Sequence, residues 1–207
     1  MDDLGNANII KAYLIDYLCS LKGEDEMLGS EVMFGSKGRF ADILFISNKL
    51  TAFEIKAQND DLRNIRKQLD DYKKVFDKLY LVVTRNHFIK AKKVITGNEG
   101  LIVIDSNDEI EIVKEPKQIK RHNKTEIIET INANFLKEYL NVNGKLSAKD
   151  IRKLAAKKDT LELKKVLFDF YKQKLIPKNL LFFSEKGTTT HFEDVALLSF
   201  NNETKLF

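Results

Sequence analysis

Leu79 to Thr84 reads LYLVVT, a run in which apolar and aromatic side chains leave no polar face. A strand of this kind is buried on both sides, which places it inside a sheet covered by helices. The rest of the chain has to supply that cover. Leu101 to Asp105 repeats the pattern, and Glu109 to Val113 alternates as a half-buried strand does. His87 to Ile95 between them reads as a short basic helix stopped by Gly97, with Asp105 and Asp108 as turn residues. Upstream, Ile9, Ile10, Tyr13, Leu14, Tyr17, Leu18 and Leu21 mark an amphipathic helix closed by Gly23. Gly23 to Gly29 is expected as a loop, and Glu31 to Phe34 as a first strand entering a Gly35–Gly38 turn.

Phe40 to Ile46 and Thr51 to Lys56 are rich in β-branched and aromatic residues and read as a hairpin. If Ser47, Asn48 and Lys49 form the loop, Ile46 faces Leu50, and counting back sets Asp42 opposite Glu54. Opposed side chains stand roughly 4.5–5.5 Å apart at Cβ. Two carboxylates that close repel unless a cation or a proton lies between them. Period two puts Lys56 on the face of Glu54. A two-residue turn would slip the register by one and separate the acids. Hard carboxylate oxygens suit Mg²⁺ or Mn²⁺, which lowers the pKa of bound water and neutralises charge on a phosphate. The plain alternative is a salt-bridged surface trio. Against it, Ala41, Ile43, Phe45, Phe53 and Ile55 read as core, so the acids stand on strands that build the interior.

The next helix is expected to be capped by Asn59 or Asp60, with Asp61 at its positive end. Leu62, Ile65, Leu69, Tyr72 and Phe76 form its apolar face. Gln68 and Tyr72, four apart, share a side. They read either as cleft residues or as a solvated Gln beside a core Tyr.

Gly38-x-x-x-Asp42, Glu54-Ile55-Lys56 and Gln68-x-x-x-Tyr72 together resemble the active-site signature of the PD-(D/E)XK nuclease superfamily, with the Gln-x-x-x-Tyr element of its RecB-like branch. The longer run through Arg39, Asp60-Asp61-Leu62 and Phe76-Asp77 is similar to small uncharacterised bacterial and phage nuclease-like proteins and, more distantly, to MmcB-like proteins. The resemblance covers roughly the first half of the chain. It implies an α/β fold with a restriction-endonuclease-like αβββαβ core, a mixed central sheet flanked by helices, and a mainly helical C-terminal region. It also implies a divalent-metal-dependent nuclease that hydrolyses phosphodiester bonds of DNA. Asp42 and Glu54 would hold Mg²⁺ or Mn²⁺, with the Ile55 carbonyl as a further ligand; Glu31, by its place on the first strand, reads either as a third carboxylate at the metal or as an edge-strand surface acid. Lys56 would be catalytic, and Gln68 and Tyr72 auxiliary. Lys37 and Arg39, at the turn, are candidates to touch phosphate or plain solvated cations. The alternative function is a non-catalytic module that binds nucleic acid or protein on the same fold.

Charge is uneven. Residues 111–178 hold 17 basic against 9 acidic side chains, a net +8, while 1–110 and 179–207 are each at −2. A basic block fits polyanion binding and fits a solvated helix surface nearly as well. The basic stretch 114–124, with Pro116, reads as a linker between a nuclease-like domain over 1–115 and a helical one over 120–207. In the latter, Thr125 is expected to cap one helix running to Leu140, Ser147 a second and Thr160 a third that Pro177 ends. A strand pair after Pro177 would make the region winged-helix-like, with Arg152, Lys153, Lys157 and Lys158 toward DNA. A substrate-guiding cap is the other reading.

Other classes find no support. Cys19, the one cysteine, reads as a buried filler and permits no intramolecular disulfide, which fits a cytoplasmic protein. His87, His122 and His191 are scattered for a zinc site. No run reaches the ~18 apolar residues of a membrane span, the start MDDLGNANII is unlike a signal peptide, and a phosphate loop of the G-x-x-x-x-G-K-S/T type is absent. A homodimer or a protein partner is left open.

Overall fold

The structure, a computed structural model, describes residues 4–105 and 109–200; the expected turn residue Asp108 lies outside them. Helix α1 (Ala7–Leu21) begins at Asn6, whose side chain accepts the Asn8 N–H at 2.9 Å. It buries Ile10, Leu14, Ile15 and Leu18. Strands β1 (Met27–Phe34), β2 (Arg39–Ile46) and β3 (Leu50–Lys56) follow as an antiparallel meander. Helix α2 (Ile65–Tyr72) then crosses over so that β4 (Lys78–Thr84) runs parallel to β3. Helix α3 (Phe88–Val94) returns the chain to β5 (Gly100–Ile104), parallel to β4, and β6 (Ile110–Lys114) closes the sheet antiparallel. The six strands lie in sequence order, so the αβββαβ order expected of an α/β, restriction-endonuclease-like core is present.

The apolar run of β4 does what its composition requires. Leu81 and Val83 enter one core with α2, while Val82 enters the other beneath α1. The sheet thus separates two apolar layers.

Strand β1 starts earlier than expected, within the stretch read as a loop, because Met27, Leu28 and Gly29 pair with Ile46, Phe45 and Leu44. Gly29 is needed there. A Cβ would come within 2.9 Å of the Leu175 side chain, where a C-terminal helix crosses the strand.

That region holds α4 (Lys124–Thr130), α5 (Ala133–Tyr139), α6 (Ala148–Ala155) and α7 (Thr160–Glu185). The single helix expected to Leu140 is two, because Asn132 leaves the helical path and caps α5 by accepting the Phe135 N–H at 2.8 Å. The caps of α4 and α7 are Asn123 and Asp159, two residues and one residue ahead of expectation. Pro177 does not end α7, which continues to Glu185. The cost of proline is offset by burial beyond it: Phe182 is fully buried, and the Asn179 amide bridges Leu28 N–H (2.9 Å) and Leu28 C=O (2.7 Å). A 3₁₀ turn at Asp194–Leu198 and one bridge between Ser30 and Ser199 stand where the wing was expected, so no wing exists among the described residues. Arg152 and Lys158 pair with Glu129 and Glu162.

The basic stretch after β6 is laid against the sheet. Pro116 and Ile119 are buried, and the N–H groups of Ile119 and Asn123 donate to Asp77 C=O (2.8 Å) and Lys74 C=O (2.9 Å). Helices α4 and α7 share a core with β1, β2 and α2: Ile127, Leu163, Phe170 and Tyr171 join Phe34, Ala41 and Phe76. Cys19 is half-buried rather than a core filler.

Candidate active site

The β2–β3 loop is three residues long. Ser47 donates its N–H to Lys49 C=O at 3.1 Å, and Ile46 pairs with Leu50. Pairing continues to Ile43 and Phe53, so the next level brings Asp42 to Glu54 as the loop length required. There the ladder gives way to a side chain, and the Ile55 N–H donates to Asp42 Oδ2 at 2.7 Å.

The pleat breaks at the same level in β1 and β2. Ala41 and Ile43, two apart, lie in opposite cores, and so do Val32 and the Leu28 end of β1. Glu31, between Ser30↔Ile43 and Val32↔Ala41, has φ of 50°. This left-handed conformation costs a non-glycine residue about 1–2 kcal/mol. The irregularity turns Glu31 and Asp42 toward a common point.

The cation at that point is Lys11, which the sequence reading did not single out. Its Nζ pairs with Glu31 Oε1 and lies 3.5 Å from Asp42 Oδ1, with the side chain 5% exposed. The one available signal was its place on the apolar stripe, four before Ile15 and seven before Leu18. Lys56 does for Glu54 what Lys11 does for its neighbours: its Nζ is 2.8 Å from Glu54 Oε1. The Tyr72 hydroxyl donates to Glu54 Oε2 and is 3.1 Å from Phe40 C=O.

The charge balance here still falls short. Burial and the Glu54 carboxylate push the Asp42 carboxyl up to about 6, against the pull of Lys11 and the Ile55 N–H. Burial, then Glu54 and Asp42, hold the Tyr72 phenol well above its ordinary value, so it stays a donor.

Lys56, paired to the buried Glu54, borders an open cleft of about 460 Å³ lined by Arg39, Lys56, Asp61, Asn64, Lys67 and Gln68. Gln68 and Tyr72 part company: Gln68 is in the cleft wall, and Tyr72 is a buried prop beneath Glu54. Helix α2 starts at Ile65, later than expected, because Asp60, one of the two expected caps, and Asp61, the expected first-turn acid, are used in the preceding turn. Asp60 accepts the Ala57 N–H at 2.8 Å, and Asp61 accepts the Arg63 N–H at 2.8 Å. Lys37 and Arg39 both bond Asp71, Lys37 at 3.3 Å and Arg39 at 2.5 Å. Burial alone would raise the Asp71 carboxyl, but bonds from Lys74, Arg39 and Lys37 bring it down to about 2. Arg39 is thereby held at the cleft by an anchored anion.

Asp42, Glu54 and the Ile55 carbonyl are hard oxygen donors, and a carboxylate pair short of positive charge, Glu54 buried and Asp42 half-buried, fits Mg²⁺ or Mn²⁺ that keeps several waters. Glu31, the further candidate, is engaged by Lys11. Among the described residues, no three His, Cys, Asp or Glu side chains already form a metal-binding group. No helix among them is long and apolar enough to cross a membrane.

Comparison with known proteins places a family model described as bacteriophage P4 protein cII on residues 1–199. Protein cII of Enterobacteria phage P4 is 27% identical over 149 residues, which is 70% of this chain and 56% of that protein, so the match spans a little over half of the relative's length. A solved structure of a protein of unknown function from Silicibacter pomeroyi aligns with a TM-score of 0.37 at 14% identity, covering 79% of this chain and 84% of that one.

Proposed function

The chain belongs to the bacteriophage P4 protein cII family, and we propose that it is a divalent-metal-dependent nuclease hydrolysing phosphodiester bonds of DNA. One observation carries this reading. Asp42 and Glu54 come together inside the fold with Lys56 2.8 Å from Glu54, beside a cleft whose wall holds three cations, Arg39, Lys56 and Lys67. Mg²⁺ or Mn²⁺, held by Asp42 and Glu54 with the Ile55 carbonyl, would supply charge neutralisation at the phosphate and acidify water.

The chain's own residues do the rest. Tyr72 fixes the Glu54 carboxylate from below, leaving its other oxygen toward Lys56. Lys56 places an ammonium where negative charge grows on the phosphate. Arg39, steadied by Asp71, and Lys67 hold flanking phosphates, and Gln68 offers an amide to the same strand. Lys37, also on Asp71, extends that basic edge.

A second reading follows from Lys11. Its ammonium already lies between Glu31 and Asp42, as a cation would, so the same fold can serve as a metal-free module that binds nucleic acid or protein. Calorimetric titration with Mn²⁺ above the pH at which Asp42 ionises separates the two. The nuclease reading expects wild type to bind, and Asp42→Asn and Glu54→Gln, which alter the ligands themselves, to bind more weakly by at least the roughly 10–100-fold that losing a ligand's outer partner costs. Absence of Mn²⁺ binding, or binding unchanged in both variants, would favour the metal-free module.

A further inference from the structure

The far end of β3 carries a separate constellation. Six steps of about 3.3 Å along β3 put Leu50 roughly 20 Å from Lys56. There the β2–β3 loop, the entry to β4, the stretch after β6 and the start of α7 enclose a cleft of about 900 Å³. Its floor is a buried cluster. Asp77 Oδ2 accepts the Leu50 N–H at 2.9 Å, and Asp77 Oδ1 lies 3.0 Å from Lys164 Nζ and 3.4 Å from His122 Nε2. Lys164 Nζ also donates to Val75 C=O at 2.7 Å.

Asp77 is therefore spent within the floor. The walls add Lys49, Lys120 and Lys165 against Asp169, so the lining carries a net +2 with His122 neutral. Among the described residues no ion pair occupies Lys49, Lys120 or Lys165. Burial and then the Lys164 ammonium push the His122 imidazole below its ordinary value, against the pull of Asp77. Burial likewise lowers Lys164, and since Asp77 and Lys164 cancel within the floor, the net positive charge of the lining comes from the wall lysines. The cations are ammonium groups on flexible stems, which bind phosphate oxygens as point charges. The apolar wall of Ile119 and Phe168 suits a ligand carrying more than the phosphate.

We propose that this cleft is a phosphate-binding site, in which Lys49, Lys120 and Lys165 hold a phosphate or phosphodiester group above the Asp77–His122–Lys164 floor. The group comes either from a free phosphorylated compound or from a nucleic-acid strand. The site shares no residue with the carboxylate cleft, so the two stand or fall separately.

The test uses the full chain in EDTA, with inorganic pyrophosphate by calorimetry and a fluorescein-labelled single-stranded oligodeoxynucleotide by anisotropy. Lys120 and Lys165 are exposed, so a Lys120→Gln/Lys165→Gln double variant keeps the fold, checked by an unchanged thermal midpoint. Lys49→Gln gives a second, independent variant. Pyrophosphate binding weakened about tenfold in the variants identifies a free phosphate ligand. Weakening of the oligonucleotide alone identifies a strand. Wild type that binds neither probe, or variants that bind both like wild type, would overturn the site.

Discussion

Asp42 has its two oxygens committed differently, Oδ2 to the Ile55 N–H and Oδ1 toward Lys11, and it still lacks charge compensation. Its carboxyl is raised from 3.8 to about 6, chiefly by burial and then by Glu54. Between those values the folded chain holds a proton that the unfolded chain has released, so this group makes stability fall as pH rises through the window. Urea midpoints measured across it should therefore decline in wild type and decline less in Asp42→Asn, which keeps an acceptor for Ile55 but has no proton to lose. An equal slope in both proteins would place the titration elsewhere. Asp42, Glu54 and Lys56 were legible because loop length and period two dictate their placement. Lys11 was not, because its partners are on strands that its own helix only meets in the fold. Asp71 was hidden for the same reason: two of its three basic partners, Arg39 and Lys37, are 32 and 34 residues away, and only Lys74 is local.

The level at which β1 and β2 break their pleat is an element-scale feature with a single conformational origin, the left-handed Glu31. In an ordinary strand glycine is less stable than alanine by roughly 0.5–1 kcal/mol. At Glu31 the order should reverse. Both Glu31→Gly and Glu31→Ala lose the Lys11 pair, but only alanine retains a Cβ at φ of 50°, so the glycine variant should be more stable by about 1 kcal/mol. Urea unfolding of the two proteins measures this directly, and alanine above glycine would mean the strand is regular there. Period two gives no sign of such a break, which is why Glu31 read as an ordinary strand position. Local propensity misled in the same way at Pro177, where the buried Asn179 and Phe182 decide that α7 continues.

At the scale of the whole molecule, α7 binds the halves of the chain together. Leu163 to Leu175 fill the core above the sheet, and Phe182 enters the core below it. Tyr171 donates to Met33 C=O at 3.0 Å, on the strand that carries Glu31. The helical region is thus part of the scaffold behind the carboxylates. The doubly buried β4 made the layered architecture legible, and the meander followed from short loops. The second cleft was not legible, since four separated segments meet there and none carries a motif. Metal-assisted chemistry at Asp42 and Glu54 is read out by incubating single- and double-stranded, linear and circular DNA with wild type and Glu54→Gln in Mg²⁺, Mn²⁺ or EDTA. Wild type should cleave, EDTA should abolish cleavage, and the variant should lower it by about a hundredfold or more. Cleavage that survives EDTA or the substitution, or none from a folded wild type that binds Mn²⁺, would contradict metal-assisted chemistry at this pair.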